Sequence, residues 1–454
     1  MGDPDRVADP AGHRAGSPGV LRAPALALLV ALAAAVTAQG AFYPADQRLI
    51  ALPLIVSVVL TLVKIRATVM PWSLLVSGGL LGAWALLLGD ETGNGAGIAL
   101  LVAGVVAVVL VVASMGQAER VALTGAIVAL GVAVACSGWW GVAFHSTELA
   151  LPGQGLWRAS TTLTYANAAA GLLGPVALFA LARLTTMVSR ERQVWLLALV
   201  VVVVGLGATL SRAGLIAWGC GVLVILWRQG FQPVFSAMAP VLLGAGVALI
   251  GLGPSFAEGG VARPIPAAIG LVAGMAATLA VASWSPGRLA AVVVAAGLLA
   301  GVAVVAGMGG DTLGRVGDAR LSFSSTDRSE MFHAGMDSIS KDPWTGAGPG
   351  QGRLRYHQGN GKFVEARFVH NEYLQIGVEL GVVGVVLLLG MIGSLAWGAK
   401  KGSRLLPGNI ACGVGAALVA LGVQAGFDFL WHIPAIPLVG AVFAGVAWPR
   451  GSGT

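Results

Sequence analysis

The sequence predicts an all-α polytopic membrane protein, with about 12–14 transmembrane helices and one large extracytoplasmic loop containing short helices. Three observations carry this. Of the 454 residues 57% are hydrophobic and 10% charged, at a mean hydropathy of +0.85, which is more apolar surface than a soluble domain can cover. Apolar windows of roughly 16–23 residues recur, enough at about 1.5 Å per residue to cross about 30 Å of hydrocarbon. Lys and Arg alternate between successive short loops, the bias that orients such helices.

Residues 1–22 hold Arg6, Arg14 and Arg22 among Asp, Gly and Pro and read as a disordered cytoplasmic tail. The next run ends in Thr37-Ala38-Gln39, small residues that also suit a signal peptide, but the many spans behind it favour an uncleaved first helix. Spans are expected near 23–43, 48–65, 71–89, 97–115, 121–142, 166–187, 193–210, 213–228, 235–253, 264–284, 288–308, 374–399, 408–426 and 434–449. The pairs around 210–213 and 235–284 are short, which keeps twelve spans as the alternative to fourteen. The chain therefore divides into the tail, an N-terminal bundle over 23–308, a large loop over 309–373 and C-terminal helices over 374–454.

With the N-terminus cytoplasmic, the inner loops carry Lys64/Arg66, Arg120, Arg183/Arg190/Arg192, Arg228, Arg288, Lys400/Lys401/Arg404 and Arg450. The short outer loops carry only Arg48, Arg158, Arg212 and Arg263. This distribution puts both termini inside a cell inner (plasma) membrane. It accounts for the net charge of +7 through membrane lipid as partner, and nucleic acid is not needed. Cys136, Cys220 and Cys412 lie in separate apolar runs, without the spacing of a zinc site or disulfide framework, and read as small core residues.

The loop over 309–373 then faces outward, and its length suits function rather than connection. Asp327 to Met336 reads as a short helix lying on the membrane. Lys341-Asp342-Pro343-Trp344 breaks it, and Gly346 to Gly352 is a flexible link. That glycine string lacks the Lys-Ser/Thr ending and preceding strand of a phosphate loop. Asp3-Pro4-Asp5 is a carboxylate pair on the cytoplasmic side, and the outer loop offers no comparable pair, so neither a metal nor another cofactor is implied.

Five of the six histidines, His145, His333, His357, His370 and His432, fall on the outer side with Arg158, Arg212, Arg328 and Asp428. Chemistry is therefore expected to face the periplasm or outside, away from nucleotide sugars. Arg212 either snorkels to the interface or is a fixed bidentate donor to phosphate. Arg328 is either a solvated charge on the amphipathic helix or a second such donor. Arg353, Arg355, Lys362 and Arg367, opposed only by Glu365, either bind headgroups or collect an anionic substrate beside His370. His370, next to Asn371, stands where the polar loop turns into the apolar run near 374–399. Gly377, Gly381 and Gly384 follow at a spacing that suits close helix contact. Glu379 falls inside the bilayer and needs a partner, expected to be one of the outer-side arginines.

His370-Asn371, nine residues, Gly381, two residues and Gly384 resemble the signature of the O-antigen ligases and related polymerases. Arg158 through Tyr165 and Asn167, Ser211-Arg212-Ala213-Gly214, and Asp327-Arg328 through Pro343 to Gly350 resemble further family segments, so that the likeness spans roughly 155–430. The resemblance implies a metal-independent transferase that moves a glycan from an undecaprenyl-diphosphate-linked donor to an acceptor hydroxyl. The acceptor that the resemblance implies is a glycolipid such as lipid A core, or a polysaccharide. It also implies Arg212 and Arg328 on the donor diphosphate and His370 on the acceptor hydroxyl. Arg158, Asn167, Arg353, Arg355, Asn371, Glu379 and Asp428 are supporting candidates. A polymerase or a protein O-oligosaccharyltransferase would share these parts. A transporter is the alternative of another class, because Glu379 and Asp428 within the spans would suit one.

Overall fold

The computed structural model describes residues 20–63, 70–91, 93–153, 155–188, 190–285, 287–288, 326–357 and 362–449, with backbone alone at 326–328. The expected tail up to residue 19, Lys64/Arg66, the span near 288–308 and Arg450 lie outside the described residues or nearly so.

The chain is an all-α polytopic membrane protein. Its first helices are α1 (Ala23–Thr37), α2 (Pro44–Leu62), α3 (Trp72–Leu87), α4 (Asn94–Ser114) and α5 (Gln117–Phe144). A short hairpin, β1 (Ala150–Gly153) and β2 (Leu156–Ala159), leads into α6 (Ala166–Leu184), α7 (Glu191–Ala208), α8 (Arg212–Gln229), α9 (Phe231–Leu252) and α10 (Pro264–Val281). Beyond lie α11 (Thr326–Lys341), a second hairpin of β3 (Leu354–His357) and β4 (Phe363–Ala366), α12 (Glu372–Ser403), α13 (Gly408–Ala425) and α14 (Ala435–Val446). Among the described residues nine of these helices are long and apolar enough to cross a membrane, and α1, α3 and α14 are shorter apolar helices. Both doubtful pairs form: Leu210 at φ +51° turns the chain between α7 and α8, and α9 and α10 are separate helices.

The core sits around α6, whose apolar window is 89% buried against 17% for the peripheral α2. Small residues set the spacing. A Cβ on Gly214 of α8 would come 2.4 Å from Ala170 of α6, and one on Gly251 of α9 would come 2.7 Å from Gly270 of α10. Such contacts let backbones approach where lipid gives helices no hydrophobic reason to associate.

The two sets of loops that the charge alternation separates gather at opposite ends. At one end His145 Nε2 lies 2.8 Å from Ser255 O, Gly155 N donates to Glu258 (2.9 Å), and Gln351 donates to Asp90 (2.7 Å). At the other, Arg22 N donates to Glu119 (2.9 Å), Arg192 to Ala282 O (3.3 Å) and Asn409 to Thr186 (2.7 Å).

Several expectations are corrected. Gly381 does not line a helix seam. It stands at φ +66°, ψ −172° and breaks α12, and a Cβ there would lie 2.3 Å from the Trp344 carbonyl. Only Gly377 meets another helix, against Ile339 of α11, while Gly384 faces its own Leu380. The 346–352 string is not a loose link. Ala347 N and Gly348 N donate to Val378 O (2.8 Å) and Glu379 O (3.1 Å), and Val382 N donates to Pro343 O (2.8 Å). Trp84 Nε1 satisfies Leu380 O at 3.0 Å, so each carbonyl freed by the break finds a donor, as a hydrocarbon setting demands. Of the cysteines only Cys412 is buried; Cys136 is exposed and Cys220 half-buried, since lipid accepts a small apolar side chain as readily as a core does. The helix expected around 327–336 does form, as part of α11, which packs Met331 with Leu354, Tyr356 and Leu374 and leaves Phe332 and Met336 exposed.

Candidate functional site

The site lies where the N-terminus of α12 meets the turn between α13 and α14. Asn371 caps α12, its side chain accepting from Leu374 N at 3.1 Å, the role short polar side chains serve best. This fixes the helix start and holds His370 just outside the first turn.

His370 Nδ1 lies 2.9 Å from Asp428 Oδ1. The imidazole is 33% exposed and the carboxylate wholly buried. Asp428 is also met by Tyr165 Oη (2.7 Å), Asn167 Nδ2 and its neighbour Phe429 N (2.9 Å). Burial alone would raise the pKa of Asp428, but the hydrogen bond and charge of His370, with Tyr165 and Asn167, outweigh it and hold the pKa below the ordinary carboxylate value. An ionised Asp428 only accepts, so the proton of the shared bond sits on His370 Nδ1. In its neutral form a ring held this way presents the lone pair of Nε2. Burial first, and the Asp428 charge second, raise the pKa of Tyr165, which keeps it a donor.

The network continues outward. Asn167 Oδ1 accepts from Arg158 Nη2 (3.1 Å), and Arg158 Nε donates to Thr209 O (3.0 Å). Gln424 Nε2 bonds to Asn167 O at 2.9 Å. Thr209 opens the turn through Leu210 to Ser211, which caps α8 by accepting from Gly214 N at 3.2 Å. Arg212 is the first residue of that helix and half-buried. Thr164, before Tyr165, and Leu210, before Ser211-Arg212, both hold positive φ without being glycine (+56° and +51°). Each costs on the order of 1 kcal/mol or more, and both turns deliver polar side chains to this end of the bundle.

Aromatic rings surround the pair. Phe429 stacks on Tyr165 (5.4 Å) and Phe368 (5.0 Å) and tilts against His370 (5.4 Å). Arg367 lies over Phe368 at 5.2 Å.

The structure thus brings together Arg158, Asn167, His370 and Asp428, with Asn371 as the cap; Arg212 follows, in the chain, the Thr209 carbonyl that Arg158 holds. Other candidates fall elsewhere. Arg353 and Arg355 pair with Glu365 across the second hairpin (3.2 and 3.5 Å) and are exposed. The Glu379 carboxylate takes the Gln375 amide at 2.6 Å, because Gln375 lies one helical turn away on the same face. The arginines expected as partners of Glu379 include Arg328, whose side chain lies outside the described residues. Sequence reasoning gave Glu372 and His432 no role; they pair at 3.2 Å, with Glu372 wholly buried and His432 part-exposed. It also left Tyr165 and Gln424 without a role. Among the described residues no three His, Cys, Asp or Glu side chains converge into a metal site.

A polytopic membrane bundle that holds a part-exposed, carboxylate-oriented histidine at one end has the construction of a membrane enzyme acting at the interface. Residues 266–389 match the Wzy_C family model, O-antigen ligase. This domain supports the O-antigen ligase family for the chain, and with it O-antigen ligase-like glycan transfer in general. A comparison with curated proteins yields no match. The matched span contains His370 and the Gly381 break but stops short of Asp428, and it does not reach back to Arg158, Asn167 or Arg212.

Proposed function

We propose that the chain transfers a glycan from undecaprenyl diphosphate to an acceptor hydroxyl at the outer face of the inner membrane. The observation that carries this reading is the His370–Asp428 pair: a part-exposed imidazole whose Nδ1 lies 2.9 Å from a wholly buried carboxylate. In the proposed step Nε2 of His370 takes the proton of the acceptor hydroxyl. The hydroxyl oxygen forms a bond to the anomeric carbon as the bond from that carbon to the diphosphate oxygen breaks. The leaving diphosphate gathers negative charge, and preorganised arginines stabilise it most where water is scarce. Arg212 and Arg328 take this role. Arg158, committed to Asn167 and Thr209 O, braces the turn before Arg212. The outward direction rests on the Lys/Arg alternation.

The alternatives within the family differ in acceptor: a lipid A core or other glycolipid, a growing polysaccharide, or a protein hydroxyl. Reconstitution in vesicles with a lipid-diphosphate oligosaccharide and each acceptor class tests the reading. Release of undecaprenyl diphosphate coupled to sugar on an acceptor is expected, and Arg212→Ala and Arg328→Ala should each weaken donor binding and slow transfer. Diphosphate release at normal rates in both variants would remove the arginine assignment, and solute movement without glycan product would indicate a transporter.

A further inference from the structure

The proposed reaction leaves one ionisable pair beside the site unused, Glu372 with His432. Glu372 is the first residue of α12, two positions after His370, and is wholly buried. Its carboxylate does not turn back on its own helix. It accepts from the backbone of the turn that carries Asp428: Oε1 takes Trp431 N and His432 N (3.3 Å), and the His432 imidazole lies 3.2 Å from Oε2. Burial alone would lower the pKa of His432, but the charge and hydrogen bond of Glu372, with Glu379, raise it above the ordinary value.

The α12 start therefore grips the 428–432 turn at two points: His370 on Asp428, and Glu372 on Trp431 and His432. Between them Phe429 lies against Phe368, and Phe368 against the His432 ring at 4.6 Å. Trp431 packs edge-on against Tyr373 (5.4 Å), whose hydroxyl donates to Gly422 O (2.8 Å) at the end of α13. A carboxylate in a first helical turn is favourable wherever it points. One that is wholly buried against another segment's amides fixes that segment's distance from the helix.

We propose that Glu372, with His432, is a positioning pair for the transfer reaction: it sets the height of the 428–432 turn and thereby holds Asp428 in bonding register with His370. This rests on His370 being the base. Glu372 touches no substrate and acts through Asp428.

The test uses the full chain in vesicles with a lipid-diphosphate oligosaccharide donor and a hydroxyl acceptor, with E372A, E372Q, H432N and H370A measured together. E372A should lower kcat about 10–100-fold while KM for donor and acceptor stays within about twofold, the pattern of a group that orients a catalytic residue. E372Q keeps an oxygen to accept from Trp431 N and His432 N and should recover to within about fivefold of the parent. In a D428N background E372A should cost no more than about threefold, because residues acting as one unit are not additive. E372A at parental kcat, a defect confined to KM, or full additivity with D428N would each overturn the proposal. Should E372A not fold, E372Q and H432N carry the test: both near parental KM with kcat lowered severalfold is expected, and kcat unchanged in both overturns it. H370A separates the two readings. If H370A is active, the base assignment fails; if H370A is inactive while E372A is normal, only the positioning role fails.

Discussion

The two ends of the bundle both bury charge, and they use it in opposite ways. At one end Arg120, 2% exposed, donates to Val446 O (2.9 Å), Trp448 O (2.8 Å), Met115 O (3.2 Å) and Ala113 O. These carbonyls lie in the last turns of α4 and α14 and just beyond, where a helix has no partners of its own for its final oxygens, and a guanidinium there also suits the helix dipole. The cation is spent on main chain. At the other end Asp428 gathers donors from four places, and one of them, His370, keeps part of its ring in the open. The lesson is that burial of charge alone does not mark a site. What marks it is a buried group whose partner still faces outward.

That contrast predicts different failures. The largest belongs to Asp428→Asn, which keeps the volume but loses the acceptor charge that fixes the proton on His370 Nδ1. Transfer should fall about 10²–10³-fold with thermal unfolding little changed, as read by reconstituted kinetics and a melting curve. Arg120→Ala should do the reverse: about 3 kcal/mol or more of stability is lost as buried carbonyls lose their donors, while the rate per folded molecule stays within about twofold. Denaturant unfolding in detergent beside the transfer assay would show it. Gly381→Ala forces a Cβ into the Trp344 carbonyl at a left-handed position and should cost about 1–3 kcal/mol, read in the same unfolding experiment. The smallest effect is expected for Arg353→Ala, which removes an exposed ion pair worth about 0–1 kcal/mol; an unfolding midpoint indistinguishable from the parent is the expected result.

The difference between the ends also explains what could be read from sequence. Spans were legible because twenty apolar residues in a row leave a chain little choice, and each expected window outside 288–308 has its helix. The two hairpins were not, since four-residue strands alternate too briefly to signal. His370 stood out by its neighbours, and Arg158, Asn167 and Asp428 as outer-side polar residues. Their union did not, because 58 positions separate His370 from Asp428 and 261 separate Asn167 from Asp428. Glu379 was expected to meet an arginine because a lone carboxylate in a span calls for a cation; the donor that the Gln375 amide supplies one turn before it could not be told from a solvent-facing or core glutamine by spacing alone. Gly381 was read as a seam because a glycine's spacing is visible in sequence and its φ is not.

The most direct measurement of the central claim is glycan transfer by His370→Ala in vesicles, with donor binding and thermal unfolding followed on the same preparation. Loss of transfer by about 10² to 10⁴-fold, with donor binding and melting temperature retained, is the predicted result. A variant that transfers glycan at near the parental rate would contradict it.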